Sequence, residues 1–170
     1  MTIMIPVLTL FLITAGTLAR QQPAKPAMPE TAKGAPDACA LMTQSEATQI
    51  MGGPSRVPRV GAFAANTCII QSDTSPTTIF INLTLDTDAT LQVQGTPTAR
   101  QAFDGLQKMM DDAEVLKDTG DAAFFSRKNN GVYIFKGGQM ASLLVGPELM
   151  KREAAVAGLK KLATVVATRM

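Results

Sequence analysis

The sequence predicts an α+β domain: an antiparallel sheet with helices packed on it, in the order α-β-β-α-β-β-β-α. Three observations carry this reading. Residues 78–85 alternate, with Ile79, Ile81, Leu83 and Leu85 on one side and Thr78, Asn82 and Thr84 on the other, the period of a half-buried strand. Residues 122–145 divide into three β-rich runs, separated by Asn130-Gly131 and Gly137-Gly138, both two-residue hairpin signals. Between and after these regions apolar residues recur every three or four positions, the spacing of amphipathic helices.

The elements follow in order. Residues 1–19 carry no charged side chain, and an apolar run from Ile3 to Ile13 leads to the small-x-small site Thr17-Leu18-Ala19. This pattern predicts a secretory signal peptide cleaved near Ala19, and hence a periplasmic or secreted bacterial protein. The alternative is an uncleaved membrane anchor, although Pro6 and Gly16 interrupt the run. Pro23, Pro26, Pro29 and Pro36 stand among Ala, Gln and Lys in residues 20–36, which reads as an extended linker. Residues 37–170 remain for a single α+β domain.

Within it, Thr43-Gln44-Ser45-Glu46 is a capping box that opens a short helix to about Met51, stopped by Gly52-Gly53-Pro54. Residues 54–66 read as an irregular loop and 67–71 as a strand ahead of 78–85. Thr96 is the expected cap of the next helix, with Pro97 in its first turn and Ala99, Phe103, Leu106, Met110 and Ala113 on its inner face. Asn130-Gly131 is expected to form a type I′ turn with both residues left-handed. One continuous helix is expected over 147–168, with Leu149, Val156, Leu159, Leu162 and Val166 as its stripe.

The chain has two cysteines, and export would bring them into oxidising surroundings. A Cys39–Cys68 disulfide is therefore expected, stapling the first helix to the first strand. There is no Cys-x-x-Cys motif and no His to activate a thiolate, so a structural bond is preferred to a redox role.

Composition removes several classes of function. With no His, the chain has no Ser-His-Asp triad, Cys-His pair or His-ligated metal. It has one Tyr and no Trp, little material for base stacking. Arg20, Lys25 and Lys33 against Glu30 account for the whole net charge of +2, and 13 basic residues face 13 acidic ones from Asp37 onward. A neutral domain offers no overall field for polyanions, so no nucleic-acid partner is expected.

One string looks enzymatic. A strand leading into Asp86-Thr87-Asp88-Ala89-Thr90 is similar to the nucleophile motif of haloacid-dehalogenase-type phosphatases, which implies Asp86 as nucleophile, Asp88 as acid/base and Gly120-Asp121 as a late Mg²⁺ ligand. That family uses a parallel sheet with crossover helices, whereas this chain shows hairpins. A polar turn at a strand end is the plainer reading. Asp111, Asp112 and Glu114 read as a solvated helix end, and most methionines of the domain as core positions. Lys151, Arg152, Lys160, Lys161 and Arg169 give the last helix a basic face, which raises a peripheral membrane contact as an alternative to packing on the sheet. No catalytic, metal-binding or cofactor-binding residue is assigned.

The opening Asp37-Ala38-Cys39-Ala40-Leu41-Met42-Thr43, continuing Ser45-Glu46-Ala47 and closing Gly52-Gly53-Pro54, resembles that of small exported bacterial domains in which a second Cys, here Cys68, arrives in a strand. Thr119-Gly120-Asp121-Ala122-Ala123-Phe124, with a hairpin ending near Phe135-Lys136-Gly137, resembles their middle. These periplasmic proteins and lipoproteins are similar in architecture to PsbP-like α/β/α sandwiches. The resemblance implies a fold and an envelope address, and it carries no catalytic residues. The expectation is a non-enzymatic envelope binding or accessory module whose partner is an envelope protein or a small ligand. The alternatives are the phosphatase and a carrier of a small apolar molecule between sheet and helices.

Overall fold

The computed structural model describes residues 37–57, 66–93, 95 and 98–170. The expectations for the signal peptide and linker, residues 1–36, lie outside them.

Seven antiparallel strands form one sheet in the order β1-β2-β3-β7-β6-β5-β4. β1 (Ser55–Arg56), β2 (Thr67–Ser72) and β3 (Phe80–Thr87) form one side of it. β4 (Glu114–Val115), β5 (Ala122–Ser126), β6 (Gly131–Lys136) and β7 (Gln139–Val145) form the other. The two sides meet where β3 pairs with β7, from Ile81 opposite Val145 to Thr87 opposite Gln139. This long-range pairing places both late strands and early strands at the centre and leaves the two-residue strands β1 and β4 at the edges.

Side-chain alternation gives the sheet two apolar faces. On the first, Ile70, Ile81, Leu83, Leu143, Val132 and Ile134 are buried against helices α1 (Gln44–Met51), α4 (Pro147–Met150) and α5 (Glu153–Arg169). The expected stripe of Leu149, Val156, Leu159, Leu162 and Val166 lies in this core. On the second face, Phe124, Tyr133 and Met140 pack on Leu91 of α2 (Asp88–Val93) and on Ala99 and Phe103 of α3 (Ala99–Met109). Phe124 links the strand and helix layers, with ring centroids 5.2 Å from Phe103 and 4.9 Å from Tyr133. The domain is thus α+β, with helices on both faces of an antiparallel sheet.

Cys39 lies in a single 3-10 turn, Ala38–Ala40, and Cys68 in β2. Their Cα atoms are 4.9 Å apart and the sulfurs stand at bonding distance. The pairing ties the segment before α1 to the sheet, as expected.

The structure corrects the sequence reading in four places. First, the final helix is not continuous. Arg152 is extended (φ −109°, ψ 109°) and separates α4 from α5. Arg127 compensates the break by donating to the Met150 carbonyl at 2.7 Å, while the Arg152 side chain donates to the Met51 carbonyl at the end of α1, at 3.2 Å. Second, Asn130-Gly131 is not a type I′ turn. Ser126 pairs with Gly131, so the connection spans 127–130, and of the two residues only Asn130 is left-handed (φ 53°). The Asp112 carboxylate holds this wider loop by accepting from the Ser126 hydroxyl at 2.7 Å and from Lys128 N–H at 2.8 Å. Gly137-Gly138 does form the tight turn, with both residues left-handed. Third, Thr98, not Thr96, caps α3 by accepting from Gln101 N–H; Thr96 and Pro97 lie outside the described residues. Fourth, short elements went unread: β1 within the expected loop, α2 directly after β3, and β4.

The capping box of α1 forms as the spacing requires, and its glutamate has a second job. Glu46 takes both guanidinium nitrogens of Arg169, at 2.7 and 2.9 Å, and so fastens the start of α1 to the end of α5. Arg169 also donates to the Leu41 carbonyl. The Arg169 hydrogen bonds are the largest cause holding the Glu46 carboxyl at about 2, well below its ordinary 4.5. Because the folded value lies below the unfolded one, the contribution is complete above pH 4.5 and is lost as pH falls toward 2. After allowance for solvent screening it is worth about 1–2 kcal/mol. Glu46→Gln is expected to remove this part of the acid sensitivity, read as the difference in urea midpoint between neutral pH and pH 3. An unchanged acid slope in the variant would show that the clamp contributes nothing.

Candidate functional site

The enzyme-like string is a strand-to-helix junction. β3 ends at Thr87, and Thr87 and Thr90 cap each other reciprocally, each hydroxyl accepting the other's backbone N–H, at 2.8 and 3.3 Å. Asp86 is 9% exposed and sits opposite Met140 on the second face. It accepts from the Asn66 amide at 3.2 Å, and burial pushes its pKa above the ordinary carboxylate value, against these hydrogen bonds. Asp88 accepts from the backbone N–H of Ala99 at 2.7 Å and thereby joins α2 to the start of α3. Asp121 accepts from Gly137 N–H at 2.9 Å in the β6–β7 turn. It adjoins Ala122, whose row runs through Phe135 and Met140 to Asp86, so three strand spacings, about 14 Å, separate the backbone at Ala122 from that at Asp86. The sheet therefore places Asp121 three strands away from Asp86. Among the described residues no group of three or more Cys, Asp and Glu is placed to hold a metal ion.

Most of the other charged candidates also have local partners; Lys161 has none among the described residues. Asp112 holds the β5–β6 loop, and the Ser126 hydrogen bond is the main cause lowering its pKa. Asp111 pairs with Lys128, and Glu114 with Lys160. Of the basic side chains proposed as a membrane face, Lys151 pairs with Glu148, Arg169 with Glu46, and Arg152 binds a carbonyl. Met42, Met51, Met140 and Met150 are buried in the two cores, whereas Met109 is exposed. Among the described residues no helix is long and apolar enough to cross a membrane.

Two open grooves run along α5. The first, about 310 Å³, lies between α1 and α5 and is lined by Glu46, Gln49, Ile50, Gly158, Lys161 and Leu162. Gly158 permits this close approach, because a Cβ there would stand 3.0 Å from Ile50 Cγ1. The second, about 340 Å³, runs beside the edge strand β4 and is lined by Glu114, Val115, Leu116, Lys117, Thr119, Lys160, Lys161 and Thr164. Lys160 crosses its wall, 2.7 Å from the Glu114 carboxylate and 4.6 Å from the centre of the Phe125 ring. Sequence reasoning assigned no role to Val115 or Lys117, since a two-residue strand carries no readable period. No protein-family model, curated protein or solved structure matches the chain.

Proposed function

We propose that residues 37–170 are a non-enzymatic binding or accessory module exported to the bacterial cell envelope, periplasmic or secreted after cleavage near Ala19. The observation that carries this reading is the pairing of Cys39 with Cys68, since such a bond persists in oxidising compartments. Two others support it. The carboxylates of the enzyme-like string have separate structural partners: Asp86 accepts from the Asn66 amide, and Asp88 and Asp121 each accept a backbone N–H. Both grooves along α5 are open surfaces suited to contact with another molecule. Helices on both faces of an antiparallel sheet accord with the PsbP-like α/β/α architecture, which remains part of the proposal. Membrane contact, on this reading, is at most peripheral or through an uncleaved 1–19.

Intact mass spectrometry of protein from its native compartment tests the export reading. The expected chain starts near Arg20 and takes up no alkylating agent until reduced. Two alkylatable thiols before reduction would overturn it. Asp86→Asn tests the absence of catalysis. A Mg²⁺-dependent phosphatase activity in the natural chain, abolished by that change, would replace the module with an enzyme.

A further inference from the structure

We propose that the β4 edge and its groove bind an extended acidic peptide segment of a partner protein, which adds to the sheet as an eighth strand. The inference rests on the binding-module reading and specifies its partner. The first support is the hydrogen-bonding pattern. Leu116 N–H bonds inward to the Ala123 carbonyl, and Glu114 stands opposite Phe125. By strand alternation the N–H and C=O of Val115, between them, point away from the sheet. Among the described residues no strand lies beyond β4, and Val115 is 64% exposed. An edge of this kind is a ready template for strand addition.

The second support is charge. Three lysines line the groove against one glutamate. Lys160 is taken by Glu114. Lys117 and Lys161 have neither an ion pair nor a side-chain hydrogen bond among the described residues, where Lys108 is the one other such cation. In an otherwise neutral domain, two of three unpaired cations thus flank one unpaired strand edge. A strand laid along Val115 would send alternate side chains toward α5, where carboxylates meet Lys161.

The test uses the disulfide-bonded full chain and a displayed library of random octapeptides. Selected peptides are expected to carry Asp or Glu at alternating positions and to lose affinity as salt rises. Val115→Pro deletes the outward N–H and leaves the inward ladder intact, so it is expected to weaken binding about tenfold or more. Val115→Ala keeps the N–H and is expected to bind as the natural chain does. Lys161→Glu and Lys117→Glu are each expected to weaken binding about threefold to tenfold, while Lys108→Glu leaves it unchanged. These lysine variants decide the matter if Val115→Pro fails to fold.

An empty selection, neutral or basic winners, or equal binding by the folded Val115→Pro or by both lysine variants would overturn the proposal. A concentration-dependent dimer abolished by Val115→Pro would assign the edge to a second copy instead. Thiol alkylation separates the two levels of failure. An empty selection with protected cysteines sinks only the peptide, whereas free thiols in the native compartment sink the exported module.

Discussion

Replacing Gly131 by Val is expected to destabilise the domain by about 3 kcal/mol or more, the upper range for over-packing a filled interior. Gly131 opens β6 and lies opposite Leu144 of β7. A Cβ there would stand 2.6 Å from Leu144 Cδ2 and 2.8 Å from the Leu143 carbonyl oxygen. The leucine end can rotate away. The carbonyl belongs to a strand paired on both sides and cannot yield without disturbing the ladder. Gly137→Val is the control. Gly137 is left-handed (φ 55°) with nothing near its missing Cβ, so only backbone strain of about 1–2 kcal/mol is expected. Urea denaturation of both variants checks this. Equal losses would show that turn strain, not the close approach of β7, explains the glycine at 131.

Reduction of the Cys39–Cys68 pair is expected to cost about 3.5 kcal/mol, from the chain entropy of a loop with sequence separation 29. The effect is large against a typical total of about 5–15 kcal/mol. The bond fastens a segment whose Ala38, Leu41 and Met42 lie in the first core, so its loss also loosens the entry to α1. Denaturation midpoints with and without reductant measure it, and Cys39→Ala with Cys68→Ala repeats the comparison without a thiol. A loss below 1 kcal/mol in both would show that packing alone holds Ala38, Leu41 and Met42 on the sheet.

What the sequence by itself determined was the local content. The capping box of α1, the inward face of β3, the Gly137-Gly138 turn and the stripe of α5 follow from spacings of two to four residues. At that range backbone geometry alone dictates which side chains share a face. The α+β class follows from hairpin signals and helical periods taken together, and the disulfide from there being only two cysteines.

Tertiary structure decided what distant residues do to one another. Nothing in residues 147–168 announces a break at Arg152. The Met150 carbonyl freed there is taken by Arg127, and the Arg152 side chain reaches the end of α1 at the Met51 carbonyl, partners that no local pattern shows. Gly131 reads locally as a turn residue, yet it is Leu143 and Leu144 across the sheet that exclude a side chain. The acids of Asp86-Thr87-Asp88 are neighbours in the sequence, and only the fold shows that their partners are Asn66 and Ala99. The groove beside β4 was hidden for the same reason. It exists only because α5, some forty residues later in the chain, brings Lys160 and Lys161 to the edge where Val115 ends the sheet.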